Sequence, residues 1–178
     1  MRMETTDEQL ASAAALGDTA AFAALLPRVY DRLFALCFRL TANRAEAEDL
    51  TQDICAALPA KIRSFRNDAR FTTWLYRVAV NAAHDRRRRH AARTRAADGW
   101  GDWETARQDA MTEDRARTDW LIHAIGRLPD DLRDTLALIL DDITQAEAAR
   151  ILDISEGTVA WRVSEAKKRL RAMKEETA

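Results

Sequence analysis

The chain is short of the residues that let strands turn. Its 178 residues include only 5 glycines and 3 prolines, too few to punctuate the many short strands of an all-β domain, and that scarcity favours helices. Cysteine is scarcer still. Cys37 and Cys55 fall on apolar helical stretches with no paired metal-ligand spacing, which reads as buried, reduced thiols rather than a metal or redox site. His84, His90 and His123 are scattered along the chain, so no metal and no other cofactor is expected. No apolar run approaches the roughly 20 residues needed to span a bilayer, and the polar start lacks the apolar segment of a signal peptide. A cytoplasmic protein without membrane insertion is the expectation.

Net charge is also nearly absent, at -1. Taken alone, that total argues against nucleic acid as a partner, but it conceals segregation. Arg86, Arg87, Arg88, Arg89, Arg93 and Arg95 form one basic block, and Arg162, Lys167, Lys168, Arg169, Arg171 and Lys174 form another. Between them runs an acidic stretch with Asp98, Asp102, Glu104, Asp109, Glu113 and Asp114. Local patches govern electrostatic partners more than the sum does.

What is present is helical periodicity. The hydrophobic content of 47% supports real cores, and this length holds one ordinary domain or two small ones. From Asp18, a candidate N-cap, apolar side chains recur at Phe22, Leu25, Leu26, Val29, Tyr30, Leu33, Phe34, Cys37 and Leu40, one face of a long helix. Asn43 with Glu46 supplies a cap and an N3 carboxylate for a second helix carrying Leu50, Ile54, Leu58 and Ile62 inward. Pro59 is expected to kink that helix or end it early. After the polar loop Arg66 to Arg70, a third helix places Phe71, Trp74, Leu75, Val78, Ala79 and Ala82 on one side.

Periodicity is then lost through a stretch that holds Gly99, Trp100 and Gly101. The expected organisation is an all-α protein of two small helical domains, 1–92 and 117–178, joined by a linker over 93–116. The second lobe carries Trp120, Leu121, Ala124, Ile125 and Leu128, stops at Pro129, and resumes with Leu132, Leu136, Ile139 and Leu140. Thr144 and Glu147 form a capping box for a short helix to Leu152. A turn over Asp153 to Ser155 follows, and Ser155 can cap a last basic helix reaching about Met173. A short helix, a three-residue turn and a basic helix spell helix-turn-helix. On the last helix Val159, Val163, Ala166 and Leu170 point inward, leaving Trp161, Ser164, Glu165 and Lys168 outward. Arg162 and Arg169 flank one shoulder, with Lys167 and Arg171 on the other. Hydrogen-bonding tips face base edges and cations reach both backbones, as a groove-entering helix requires. A solvated amphipathic C-terminal helix is the plainer alternative.

Two sets of motifs resemble one family. Glu156-Gly157-Thr158-Val159-Ala160-Trp161-Arg162 followed by Glu165-Ala166-Lys167-Lys168-Arg169-Leu170, with Leu128-Pro129, Arg133 and Glu147 upstream, resembles the promoter-reading domain of extracytoplasmic-function sigma factors of bacterial RNA polymerase. Independently, Ala47 to Asp53 and the string Phe71 to Asn81, with Asp85-Arg86-Arg87 beyond, resemble the N-terminal domain of the same family. The resemblance covers roughly residues 18–92 and 117–173. It implies a factor that binds core RNA polymerase, through the β′ clamp helices and the β flap, and directs initiation at promoter DNA in a stress or environmental response. It also implies a dedicated anti-sigma partner.

By position, the resemblance assigns Asp49, Gln52 and Asp53 to docking on the β′ clamp helices. The loop residues Asn67, Asp68 and Arg70 with Arg77 and Asn81 would capture an unstacked base of the downstream promoter element, the Asn81 amide at a base edge and Arg77 at phosphate. Arg86 and Arg87 would hold phosphates beside the duplex. Thr158, Trp161, Arg162, Ser164, Glu165, Lys168 and Arg169 would face the upstream element. Phe71 and Trp74 suggest strand-melting wedges, but their inward periodicity reads as core. The chain departs from the family's usual pattern at Ala160, Trp161 and Glu165. Glu165 has two readings, acceptor from a cytosine N4 or intrahelical partner of Arg162 or Arg169.

Other classes fit less well. Asp130, Asp131 and the Asp141-Asp142 pair are neighbours in sequence and so diverge around a helix, with no His, Cys or Ser constellation to make an enzyme of them. A helix-turn-helix repressor is the nearer rival, followed by a helical adaptor. A repressor should bind duplex operator alone as a dimer, whereas a sigma factor needs core polymerase.

Overall fold

The structure, a computed structural model, describes residues 5–96 and 113–177. All regular structure among them is helical. The sequence's unperiodic stretch around Gly99, Trp100 and Gly101 lies outside the described residues, but its flanks are ordered helix beyond the expected boundaries.

The first helix, α1 (Asp7–Ala15), has too few large apolar side chains to declare itself by periodicity. Its signal is a capping box: the Thr6 hydroxyl accepts from the Gln9 N–H at 3.2 Å, and the Gln9 side chain accepts from the Thr6 N–H at 2.9 Å. It buries only Ala11 and Ala14, and small side chains let it lie close on its neighbours. Glu8 accepts from the backbone N–H of Phe71 at 3.2 Å, satisfying one of the orphan donors at the start of α4 (Phe71–Ala96).

Asp18 caps α2 (Thr19–Thr41), its carboxylate accepting from the N–H groups of Ala20 and Ala21 at 2.9 and 3.0 Å. Leu25, Val29, Leu33, Leu36, Cys37 and Leu40 are buried along it. Tyr30, expected on this face, is 42% exposed, whereas Leu36, which the periodicity left out, is fully buried. Asn43 caps α3 (Arg44–Lys61) by accepting from the Glu46 N–H at 3.0 Å. Pro59 does not end α3 early, because it falls so near the C-terminus that only the final turn is affected. The helix runs on to Lys61 and then tightens into a 3-10 turn at Ile62–Ser64.

α4 continues well past residue 92 and is buried on more sides than one stripe predicts. Phe71, Leu75 and Ala79 are buried as expected, but so are Thr73, Tyr76, Val80 and Ala83, while Trp74, Val78 and Ala82 are only half-buried. The cause is a second partner. α6 (Asp130–Ile139) packs on α2, and α7 (Gln145–Leu152) packs on α4, so α4 serves the first lobe on one side and the second on the other. Leu138, Ala148, Ile151 and Val159 join the same continuous core as Leu33 and Phe71. A smaller core of Ile125, Leu128, Leu132, Leu136 and Ala166 ties α5 (Glu113–Gly126) and α6 to α8 (Glu156–Thr177). Leu121 and Leu140, expected inward, are 41% and 53% exposed. Gly126 stands where the lobes meet: a Cβ there would come within 2.9 Å of the Cβ of Ala42.

Candidate nucleic-acid interface

The helix-turn-helix is built from local signals. The Thr144 hydroxyl accepts from the Glu147 N–H at 3.2 Å and Glu147 accepts from the Thr144 N–H at 3.0 Å, opening α7. Asp153, at φ 55°, takes the left-handed conformation that ends it. Ser155 caps α8, its Oγ accepting from the Thr158 N–H at 3.1 Å. Val159, Val163 and Ala166 are buried and Leu170 half-buried. Trp161 is 61% exposed, and Ser164, Lys168 and Arg169 are exposed with it. Thr158 is half-buried, its hydroxyl 2.9 Å from that of Ser155.

Three of the expected promoter-facing charges, Arg162, Glu165 and Arg169, have partners in the protein. Arg162 pairs with Asp131 of α6 at 3.6 Å. Glu165 accepts from the Arg169 Nε at 2.9 Å, the intrahelical partner one turn ahead.

On the first lobe Asp49, Gln52 and Asp53 are all exposed on α3. The guanidinium of Arg86 on α4 bridges to Asp49 at 3.3 Å and to Asp53 at 3.6 Å, so two groups of different expected function share an ion pair. Arg77 and Asn81 are exposed one turn apart on α4. The loop residues Asn67, Asp68 and Arg70 are exposed too, Asn67 in the left-handed region at φ 60°. Phe71 is buried, and its ring lies 5.4 Å from Phe65 and 5.6 Å from Trp74. That aromatic cluster occupies both candidate wedges in packing.

The structure also brings together residues that sequence order does not relate. Asp134, only 2% exposed, receives Arg87 through two contacts at 2.5 and 3.1 Å and the His84 Nε2 at 2.8 Å. Asp130 adds a contact to Arg87 at 3.3 Å. The Tyr76 hydroxyl donates to Asp141, which also pairs with Arg39 at 2.9 Å. Glu147 accepts from the Thr73 hydroxyl at 3.1 Å and pairs with Arg70 at 3.4 Å. Burial pushes the Glu147 carboxyl up. The Thr144 amide and hydroxyl, the Thr73 hydroxyl and the Arg70 charge outweigh that and hold it below the usual glutamate value. Apart from the Thr144 cap, every one of these contacts joins the second lobe to the first. No short-range spacing announces them, because the partners stand from 43 residues apart, Arg87 to Asp130, to 102 apart, Arg39 to Asp141.

Both thiols are free, Cys37 buried and Cys55 half-buried. Desolvation pushes the Cys37 thiol up to about 11, which keeps it protonated and unreactive at neutral pH. Among the described residues, no group of three or more His, Cys, Asp or Glu side chains is arranged to hold a metal ion, and no helix is long and apolar enough to cross a membrane.

Two helical lobes, one ending in a capped helix-turn-helix with an exposed basic outer face, are the architecture of a DNA-binding protein. Comparison with known proteins carries this to a family. The Sigma-70 region 2 model matches residues 25–93, and that of Sigma-70, region 4 matches residues 118–170. The chain is 31% identical over 172 residues to the ECF RNA polymerase sigma factor SigW of Bacillus subtilis, covering 87% of this chain and 89% of that one. It is 34% identical over 171 residues to the ECF RNA polymerase sigma factor SigM of Mycobacterium tuberculosis strain H37Rv, covering 95% and 85%. Among solved structures it resembles CnrH in complex with the cytosolic domain of CnrY, with a TM-score of 0.71 at 26% identity, covering 97% of this chain and 99% of that one. It also resembles the sigma factor RpoE in complex with the anti-sigma factor NepR from Bartonella quintana, with a TM-score of 0.75 at 27% identity, covering 86% and 96%.

The chain belongs to the ECF RNA polymerase sigma factors. It is a promoter-specific transcription initiation factor, a regulatory subunit of RNA polymerase and not an enzyme.

Proposed function

We propose that the two lobes divide the work of initiation, with 1–92 docking on core polymerase and reading the downstream element, 93–116 linking, and 117–178 reading the upstream element. The observation that carries the reading is the outward face of α8, where Trp161, Ser164, Lys168 and Arg169 stand exposed behind a capped turn. Such a helix enters the major groove with polar tips at base edges and cations at the phosphates. Thr158 and Arg162 flank that face, and Glu165 orients Arg169 through their 2.9 Å pair. Trp161 is placed to pack on a thymine methyl or a sugar edge.

On the first lobe, Asp49, Gln52 and Asp53, all exposed on α3, dock on the β′ clamp helices, and the β flap takes the second lobe. Asn81 reads a base of the downstream element, with Arg77 at phosphate and Asn67, Asp68 and Arg70 forming the capture loop. Arg86 and Arg87 hold the backbone beside it. An anti-sigma protein is the expected controller, since both solved neighbours are complexes, one named as a sigma factor with its anti-sigma factor. The protein acts in the cytoplasm, where polymerase and template are, in response to stress or environmental change.

Transcription from a randomised promoter library by core polymerase, with and without the protein, tests this reading. Selected transcripts that share an upstream and a downstream motif are expected only when the protein is present. Binding of duplex DNA as a dimer without core, together with no initiation, would establish a repressor instead.

A further inference from the structure

Arg77 and Asn81 stand one turn apart on α4, yet they line different clefts. Arg77 shares one of about 450 Å³ with Arg66 and Asp68 of the capture loop. Asn81 lines a groove of about 650 Å³ between α3 and α4, whose walls hold no residue of that loop. Asn81, Asp85, Arg89 and Arg93 follow one another every fourth residue and so form one row along α4, and Lys61 lines the groove from the last turn of α3. The lining is apolar between them, with Leu50 and Ile54 buried and Val78 half-buried. We infer that this groove is a second base subsite, in which the base read by Asn81 lies unstacked on the apolar lining while Lys61, Arg89 and Arg93 hold the phosphates beside it.

The charges of the groove do not cancel. Asp53 is paired with Arg86 at 3.6 Å, and Asp85 with Arg88. Lys61, Arg89 and Arg93 are exposed and make no ion pair among the described residues, so three cations are left over beside carboxylates that already have partners. Asp85 registers the surplus: the hydrogen bond from Arg88, and then the charges of Arg88, Arg89 and Lys61, hold its carboxyl below the usual aspartate value. Spare cations around an apolar lining suit a nucleotide of a single strand, whose base sheds water onto apolar side chains while its phosphates meet positive charge. The size agrees, since pockets for small organic groups run from about 300 to 1,000 Å³. The Asn81 amide carries both a donor and an acceptor for a base edge. The capture loop then takes a different base, and the two clefts read two positions of the downstream element.

The inference rests on the assignment of Asn81 to the downstream element, so its test separates the groove from that assignment. A promoter selected with the holoenzyme is prepared as a fork whose non-template strand is unpaired across the downstream element, with one abasic nucleotide moved through it position by position. The parent holoenzyme should lose about tenfold in affinity at two positions. Asn81→Ala should lose about tenfold on the intact strand and nothing further at one of those positions, because base and reader form a single contact. Asp68→Ala should show the same lack of further loss at the other. Lys61→Gln and Arg93→Gln should weaken binding of all sequences alike and each reduce the single-strand salt slope by about 0.7. Circular dichroism should be unchanged in both, since these are exposed side chains without an ion pair to lose.

Convergence of Asn81→Ala and Asp68→Ala on one position would mean a single pocket at the loop and would overturn the groove. So would an Asn81→Ala variant that is weakened further at every abasic position, or Lys61→Gln and Arg93→Gln variants with the parent's affinity and salt slope. Failure of the parent to initiate with core polymerase would strike the roles proposed for the two lobes, and the groove would then be decided on the free chain. There, anisotropy of a fluorescein-labelled single strand of random sequence should show the same losses for Lys61→Gln and Arg93→Gln, because phosphate contacts do not depend on sequence. Equal binding by parent and variants would overturn the groove.

Discussion

Reversing both charges with Asp49→Lys and Asp53→Lys should cost this protein its polymerase and almost none of its fold. The two carboxylates are 66% and 73% exposed and share the single guanidinium of Arg86 at 3.3 and 3.6 Å. Exposed pairs of this kind contribute about 0–1 kcal/mol. Turning them into like-charge neighbours adds a repulsion of similar size, about 2 kcal/mol together at most, so the melting temperature should fall by no more than about 4–8 °C. The loss at the polymerase is of another order. Close charge pairs across an interface couple by about 1.5–7 kcal/mol. Taking the low end for each position gives about 3 kcal/mol, or more than about 100-fold in affinity. Anisotropy of the labelled chain titrated with core polymerase reads the affinity, and circular dichroism reads the fold. An affinity within a few-fold of the parent, with the helical signal intact, refutes the docking surface. Should the double reversal unfold the chain, Asp49→Asn with Asp53→Asn gives the same direction of change without repulsion.

Three further outcomes are expected. Asn81→Ala should leave polymerase assembly normal and impair promoter opening, with about 1–3 kcal/mol of discrimination lost at one downstream base. Opening kinetics and a selection from randomised promoters check this. Arg162→Ala should weaken binding to all upstream elements alike and reduce the salt slope by about one unit, in a titration of holoenzyme affinity against salt. Glu147 has a carboxyl held below its unfolded value, itself about 4.3, so it binds fewer protons folded than unfolded. Its contribution is complete above that value and is lost as pH falls through the lower, folded one. Glu147→Gln should therefore be less stable than the parent at neutral pH and converge with it in acid, measured by urea unfolding at a series of pH values.

Much of this was legible from the sequence because its causes are local. Asp18, Asn43, Thr144 with Glu147, and Ser155 satisfy donors within three residues of themselves, so the starts of α2, α3, α7 and α8 can be read from residue type and spacing. The inward row Val159, Val163 and Ala166 follows from 3.6-residue periodicity alone. α1 escaped that reading because its buried face is alanine, and only the Thr6 and Gln9 capping box marks it.

Tertiary structure decided what depends on partners distant along the chain. Asp134 is an ordinary carboxylate in sequence and becomes a nearly buried anchor only because Arg87 and His84, 47 and 50 residues earlier, are brought to it by the packing of the second lobe on α4. The same packing buries Tyr76 on a face that periodicity left unassigned and gives Arg70 to Glu147. Residue type and spacing determined which helices form and which side chains face outward from each of them. Which of those outward side chains remain open to solvent and unpaired was decided by lobe on lobe, since burial and charge pairing between distant segments depend on where whole helices come to rest.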